Sequence, residues 1–315
     1  MNKYIVENLD QNPEEIDRVI KLIEESFEYK EIYSYRCDFY PQFEKSNLKN
    51  CFIVKDIENK NNVIAHVGVL PLTFKAKNLN YTVNLIGSIA VEKKYRSKGV
   101  FNKIFIQVLD SIKNNGVLNI LWSEKTELFN KYNFYECGKI YQSGNKQINF
   151  DGNTLDSITT EEQNHILRLY KNYSYNYFSP IRNSKRLKSL MNIKSCNIKF
   201  LKNSNEEVIG YLLFNKGGDL QDIIHEFTCD PNYYKEQFEI YKDYKIWTPD
   251  IVNQSQVLYS AFININNIEQ LKILTQSFNI EIENSHNEIE ILNKIFNNID
   301  TCKNIPLWIS GIDSI

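Results

Sequence analysis

The segment Leu85–Ile112, LIGSIAVEKKYRSKGVFNKIFIQVLDSI, constrains this chain more than any other. Leu85–Val91 is a mostly apolar run, too short for an ordinary helix and suited to a sheet interior. From Val100 the period changes. Phe101, Ile104, Phe105, Val108, Leu109 and Ile112 recur at three and four residues, which predicts a helix with one apolar face. Asn102, Lys103, Gln107, Asp110 and Lys113 fall mostly on the other side, and Gly116 stands where a helix stop is expected.

The turn between strand and helix reads Arg96-Ser97-Lys98-Gly99-Val100-Phe101. A helix start leaves its first amide hydrogens without partners, and the helix dipole makes that end electropositive. Gly99 lets a ligand approach the backbone closely. Arg96 and Lys98 add positive charge, so the turn predicts a socket for phosphate groups. The nucleotide loop ending in Gly-Lys-Ser/Thr is absent, and so is the three-glycine dinucleotide fingerprint. An isolated R-x-x-G would be read as a solvated connection.

Its surroundings argue otherwise. The segment resembles the coenzyme A loop of the GCN5-related N-acetyltransferases (GNAT), Arg/Gln-x-x-Gly-x-Gly/Ala between the fourth strand and the third main helix. Phe101 stands where that pattern has a small residue. The resemblance implies that Arg96, Ser97, Lys98, Gly99, Val100, Phe101 and Asn102 hold the diphosphate. Gly87-Ser88 interrupts the apolar run, and a glycine there often marks a bulge. In the family such a bulge splays the strand from its parallel neighbour, so Ile89, Ala90 and Val91 would offer main-chain groups to the pantetheine arm and the acyl carbonyl.

A second stretch, TELFNKYNFYECGK, resembles the family motif Tyr-x-x-x-Gly-Phe, with Asn133-Phe134 at the Gly-Phe. The tyrosine that commonly serves as general acid corresponds to Phe129, which has no proton to donate. Tyr132 and Tyr135 are the candidate replacements, and packing is the competing role for both. Glu124, after the expected strand Leu118–Trp122, is a candidate base; its plain alternative is an acid in the first turn of a helix capped by Ser123.

Before this region, Asn12-Pro13-Glu14-Glu15 predicts a helix start with Asn12 as cap. Tyr29–Phe43 is aromatic and irregular, either the wall of an acceptor pocket or a packed loop. Cys51–Asp56, Val63–Phe74 and Asn80–Val91 read as successive strands. The second half opens with a capping box expected at Thr160-x-x-Gln163. Ile53–Val69 and Ile198–Phe214 then read alike, each strand, polar turn and strand with Val-Ile at the same place. The next strand, expected over Leu220–Phe227, leads into Thr228-Cys229-Asp230-Pro231-Asn232. That stretch has no glycine or arginine and is a poor socket, because Asp230 would repel an anion.

The chain reads apolar to its end, from Pro306 to Ile315. In tandem acetyltransferases of the enhanced-intracellular-survival type the terminal carboxylate serves as base, and by that resemblance Ile315 is a further candidate. The alternative is a final strand that completes the second domain. His66 reads as structural, and His225-Glu226 has no spacing suggesting a metal.

These features predict an α/β (α+β) protein of two GNAT-like domains, each a mixed, mostly antiparallel twisted sheet flanked by helices. Residues 1–150 would bind acyl-coenzyme A and carry catalysis, and 151–315 would be a degenerate copy. The length of 315 residues suits two domains. The resemblance implies an N-acyltransferase that passes acetyl from acetyl-CoA to a small-molecule or peptide amine by direct transfer, without a metal. A coenzyme A-binding sensor without catalysis is the alternative, motivated by Phe129. A net charge of −2 disfavours nucleic acid and anionic membranes as partners. The N-terminus lacks an apolar signal core, and no run approaches a membrane span. Cysteines at 37, 51, 137, 196, 229 and 302 have no paired spacing, as suits free thiols in the cytoplasm.

Overall fold

The computed structural model describes residues 3–60, 62–249, 255–258, 261–282, 287–297 and 304–315; Cys302 lies outside them. The strands of the first half are β1 (Tyr4–Asn8), β2 (Cys51–Asp56), β3 (Asn62–Ala76), β4 (Leu79–Val91), β5 (Leu118–Leu121), β6 (Tyr135–Cys137) and β7 (Ile140–Ser143). Those that follow are β8 (Asn153–Thr154), β9 (Ser179–Pro180), β10 (Asn197–Lys202), β11 (Val208–Phe214) and β12 (Ile224–Cys229). The last are β13 (Ile246–Thr248), β14 (Gln256–Leu258) and β15 (Ala261–Ile265).

They form two mixed, mostly antiparallel sheets flanked by helices. The first runs β1-β2-β3-β4-β5-β15-β6, with β9 also on β3, and the second runs β8-β10-β11-β12-β13-β7-β14. The two orders correspond position by position. Among the described residues each sheet has a single parallel pair, β4 with β5 and β12 with β13. The halves also exchange a strand. β7 leaves the first half to lie between β13 and β14, and β15 returns to lie between β5 and β6.

The exchange explains why β4 is apolar on both faces. Ile86 packs with Ile104, Phe105 and Val108 of the helix Val100–Ile112. Val83 and Leu85 point the other way, into a core shared with Leu271, Leu274, Leu292 and Ile295. Those residues belong to the helices Ile268–Ser277 and Glu288–Phe296, which follow β15. A strand covered on both faces needs no alternation of polar and apolar residues.

Several local expectations are corrected. Asn12 does not cap a helix: its amide donates to the Asn8 carbonyl at 3.0 Å and its oxygen accepts from Lys55 at 2.5 Å. The second-half capping box is Thr159 with Glu162, one residue before Thr160 and Gln163. Ser123 accepts from the Lys125 amide in the turn ahead of the helix Thr126–Asn130 and is not its cap. Residues 220–223 form a turn, and the strand begins at Ile224.

Gly116 does not stop the helix, which ends at Ile112. It sits at φ +114°, where a Cβ would lie 2.6 Å from the Thr82 carbonyl oxygen. That carbonyl accepts from the Val117 amide at 2.8 Å, the contact that aligns β5 with β4. Gly116→Ala therefore combines a strained backbone with a clash against main chain. It is expected to destabilise the fold by at least about 1 kcal/mol in urea unfolding. An unchanged unfolding midpoint would refute this reading of the β4–β5 alignment.

Candidate active site

The site begins with a defect in β4. His66 of β3 faces Ala90, but Gly68 faces Gly87, so three steps of β4 oppose two of β3. The extra residue is accommodated at Ser88, whose φ is +52°. Ser88 is buried, with its hydroxyl 3.0 Å from that of Tyr35 and its carbonyl 2.8 Å from His66 Nδ1. The bulge coincides with a divergence of strands. Pairing of β4 with β5 stops at Ile86 and Leu121. Beyond it, the β5-side edge at Ile89, Ala90 and Val91 pairs with no strand among the described residues. Arg96 Nε reaches back to the Val91 carbonyl at 3.0 Å.

The turn that follows is built on two left-handed residues, Ser97 at φ +61° and Gly99 at φ +78°. Gly99 is the N-cap of the helix Val100–Ile112, and no side chain caps its amides. A Cβ on Gly99 would meet nothing within 4 Å, so the space in front of the helix end is open. Tyr95 fixes the turn from below: its hydroxyl donates to Asp56 at 2.8 Å, and Lys98 stands 5.7 Å from its ring centre. Phe101 does not fill the socket, because its ring stacks on Phe105 at 5.0 Å and meets Phe129 and Tyr132 edge-on. These features fit a diphosphate.

The matching position in the second sheet is closed. Asp230 caps the helix Pro231–Tyr241 and accepts from the Asn232 amide at 2.9 Å. A carboxylate thus occupies the place an anion would need.

Beside the divergence lies a cavity of about 470 Å³ lined by both halves. Phe39, Trp122 and Glu124 line it from the first half, and Lys216, Trp247 and Ile315 from the second. Ile315 rests on the bulge: a Cβ on Gly87 would lie 2.6 Å from the Ile315 carbonyl oxygen and 2.8 Å from its carbon. Gly87 therefore serves close approach, and the left-handed turn beside it falls on Ser88.

A buried polar cluster holds the segment that delivers Ile315. Lys216 donates to the Gly311 carbonyl at 2.9 Å and to the Ser314 carbonyl and hydroxyl at 2.7 and 3.2 Å. Its ammonium stands 4.4 Å from the centre of the Phe39 ring. Burial pulls the Lys216 pKa down to about 8, against the opposing pull of Asp219 and Asp313. Asp313 is paired with Arg182 at 2.7 Å and Arg186 at 2.8 Å. Burial opposes its ionisation, yet the two guanidinium groups hold its pKa below the usual carboxylate range. Arg182 also grips Glu226 through both nitrogens at 2.6 and 2.9 Å, and Tyr211 donates to Glu226 at 2.6 Å.

Among the residues singled out from sequence, Glu124 and Ile315 thus meet at one cavity, while Tyr132 and Tyr135 do not line it. The Tyr132 hydroxyl donates to Asn102 at 2.8 Å in the first turn of the Val100 helix. Tyr135 packs on the opposite sheet face, in the cluster that includes Trp122 and Ile315. Phe129 is buried in the aromatic core. The Tyr29–Phe43 stretch is largely packed: Tyr29 donates to Asp38 at 2.6 Å, Asp38 also binds Ser195, and Phe39 alone reaches the cavity. His225 and Glu226 are buried behind the Gly311 segment. Lys216 and the Arg182 cluster escaped the sequence reading, since nothing local marks a lone lysine before a Gly-Gly turn. The described residues hold no cluster of His, Cys, Asp or Glu arranged for a metal, and none of their helices is long and apolar enough to cross a membrane.

Residues 10–137 match the family model described as an acetyltransferase (GNAT) domain. Over that segment the chain is similar to a GNAT domain. No curated protein matches the sequence significantly. Solved structures share the fold at low identity. A probable N-acyltransferase from Enterococcus faecalis aligns with a TM-score of 0.62 and 14% identity, covering 88% of this chain and 75% of that one. A GCN5-related N-acetyltransferase from Anabaena variabilis gives 0.59 and 12%, covering 84% and 73%. The N-myristoyltransferase of Saccharomyces cerevisiae with bound myristoyl-CoA gives 0.55 and 11%, covering 84% and 83%. The shared fold therefore extends beyond the matched segment, over 84–88% of the chain.

The bulge also creates a pH dependence. Burial lowers the pKa of His66 to about 4, with the Ser88 carbonyl opposing, and burial does the same to His225. The unfolded chain takes up protons first as pH falls through the ordinary value of 6.5. Stability present above that pH is therefore lost on acidification toward 4. At pH 5 each histidine should cost about 2 kcal/mol relative to pH 7. His66→Asn, which keeps a donor for Ser88, should remove about half of the loss between these pH values in urea unfolding. An unaltered pH profile would exclude His66 as its source.

Proposed function

We propose that this protein is an acyl-coenzyme A-dependent N-acyltransferase that passes an acetyl group directly to an amine. The observation that carries the reading is the uncapped, unobstructed helix end at Gly99, set beside a strand edge left free by the Ser88 bulge. Residues 1–150 would hold the acyl donor, and 151–315, with its carboxylate-capped helix, would be a degenerate partner. Each half is completed by a strand of the other.

The amides of Gly99, Val100, Phe101 and Asn102, with Arg96, Ser97 and Lys98, would hold the diphosphate. Bound acyl-coenzyme A supplies its acyl group as a thioester, whose C–S bond gives way to an amide C–N bond as one proton leaves the amine and one reaches the thiolate. Main-chain groups at Ile89, Ala90 and Val91 would orient the acyl carbonyl and stabilise negative charge on its oxygen. Glu124 and Ile315 line the cavity where the amine would enter, so the base is drawn from these two. In a chain ending at Ile315, its carboxylate stands on Gly87, which favours it over the exposed Glu124. Tyr132 and Tyr135 are the two candidate proton donors; the Tyr132 hydroxyl would have to release Asn102 to reach the thiolate. Holding both reactants against one strand end supplies much of the rate. No protein nucleophile is needed, and the free thiols at Cys37, Cys51, Cys196 and Cys229 suit a cytoplasmic setting.

Two measurements test this. Gly99→Asp places a carboxylate at the socket; its Cβ would meet nothing within 4 Å, and Asp tolerates the left-handed φ of +78° better than most residues, so acetyl-CoA affinity by calorimetry should fall about 100-fold while unfolding stays cooperative. Unchanged affinity would falsify the socket. A protein ending at Ile315 should also be compared with one extended by two glycines. If Ile315 is the base, the extension should lower kcat by about 100-fold, within the range of general base catalysis, and leave acetyl-CoA binding intact. Equal kcat would transfer the role to Glu124.

A further inference from the structure

Strand register fixes where the main-chain groups beside the bulge point. The Glu92 amide donates to the Ile64 carbonyl at 2.9 Å, so these two residues form a bonded pair. Bonded and non-bonded pairs alternate along an antiparallel ladder. Ala65 opposite Val91 is therefore non-bonded, and His66 opposite Ala90 is bonded. The groups of Val91 point away from β3, where Arg96 meets its carbonyl. Ile89 lies two residues earlier on the same strand and points the same way, into the gap left by β5. The donors named above are thus narrowed to Ile89 and Val91.

The Ser88–Ile89 peptide gives this direction independently. A carbonyl can only accept, so His66 donates to Ser88 through Nδ1 at 2.8 Å. A trans peptide is planar, with its N–H opposed to its C=O. With the carbonyl held by a side chain of β3, the Ile89 N–H is turned toward the free edge.

His66 is an expensive residue for the fold alone. Its ring is fully buried beside Phe43, and Nε2 has no partner among the described residues. An unpaired ring nitrogen forfeits its hydration, whereas an apolar side chain in that place would not. Burial lowers the pKa to about 4, so at neutral pH the ring is uncharged and carries one N–H, the one given to Ser88. A position that breaks a packing rule in this way points to a gain elsewhere.

Resting on the transferase reading above, we propose that His66 is a positioning residue for acyl transfer: by holding the Ser88 carbonyl, it aims the Ile89 N–H at the acyl carbonyl. Of the two amides on this edge, that of Ile89 is nearer Gly87, where Ile315 and the cavity meet the strand. The amine lone pair forms a C–N bond at the thioester carbon as the C=O pair moves to oxygen, where the Ile89 N–H stabilises it. Return of that pair breaks the C–S bond. The nitrogen loses one proton and the thiolate gains one. His66 touches neither reactant and exchanges no proton.

The test is infrared spectroscopy of acetyl-CoA, isotopically labelled at its carbonyl carbon and bound to the full chain. A hydrogen bond to the oxygen lowers the stretching frequency, so the bound band should lie below that of free acetyl-CoA. His66→Leu should lose most of this displacement. Its acetyl-CoA affinity by calorimetry should stay within about tenfold, as for one neutral hydrogen bond. His66→Asn, whose amide can donate from the place of Nδ1, should keep the displacement. An ester in place of the Ser88–Ile89 amide removes the N–H alone and should abolish it.

Equal displacement in the wild type and His66→Leu would overturn the role of His66. An undisplaced wild-type band would overturn the Ile89 assignment with it. Either result leaves the transferase reading standing, whereas a wild-type protein that does not bind acetyl-CoA loses both. Should His66→Leu not fold, nitrogen NMR of the wild-type imidazoles decides, with His66→Asn identifying the resonance. Hydrogen on Nδ1 is expected; hydrogen on Nε2 would refute the proposal, because that tautomer cannot hold the Ser88 carbonyl.

Discussion

A single left-handed residue in the middle of a long strand governs this molecule. Ser88 turns β4 out of register with β3 and away from β5. A non-glycine residue in that conformation costs on the order of 1 kcal/mol or more. It persists here because neighbours on either side hold it: His66 binds its carbonyl, and Tyr35 its hydroxyl. From the divergence follow a free strand edge, a helix end aimed past that edge, and a cavity alongside. The site is thus made mainly of backbone, and the side chains that matter most are those that keep the backbone out of its regular course.

The two sheets share one strand order but differ at the helix following their fourth strand. Gly99 leaves one helix end bare, whereas Asp230 covers the other with its own carboxylate. The second half instead contributes Arg182, Arg186, Glu226 and Lys216, a buried polar cluster that grips the segment ending on Gly87. A cluster of this kind adds little net stability compared with an apolar core, but breaking one partner leaves an uncompensated charge. Its value lies in fixing one position for the chain it holds. The two halves therefore differ, one presenting an open helix end and the other a holder.

The period of Val100–Ile112 could be read directly, because a 3.6-residue repeat of large apolar side chains has one solution when a sheet lies beneath it. The bulge was legible only as a possibility. Glycine marked the place, yet Ser88 adopts the unusual conformation, and Gly87 is required by a residue from the far end of the chain. The cap of the helix Thr160–Tyr173 was legible to within a residue, since Thr159 and Thr160 can both cap and the backbone path selects the first, whereas the side chains of Asn12 and Ser123 bond elsewhere. Phe101 departed from the expected small residue without harm because its side chain joins the aromatic core. The exchange of β7 and β15 left no trace in local sequence, since a short apolar strand carries no mark of the sheet it joins. Lys216 was invisible for a related reason, its partners being main-chain carbonyls almost a hundred positions away.

The exchanged strand sets an order of events during synthesis. β6 is complete at Cys137, but its neighbour in the first sheet ends at Ile265. The ribosome must add about 130 residues in between, which takes on the order of 10 s at typical elongation rates. Throughout that interval the hydrogen-bonding edge of β5 has no partner to close it. A nascent chain of this type presents a sticky border to its neighbours on a polysome, and holding that border apart until the second half emerges is a task for chaperones rather than for the fold.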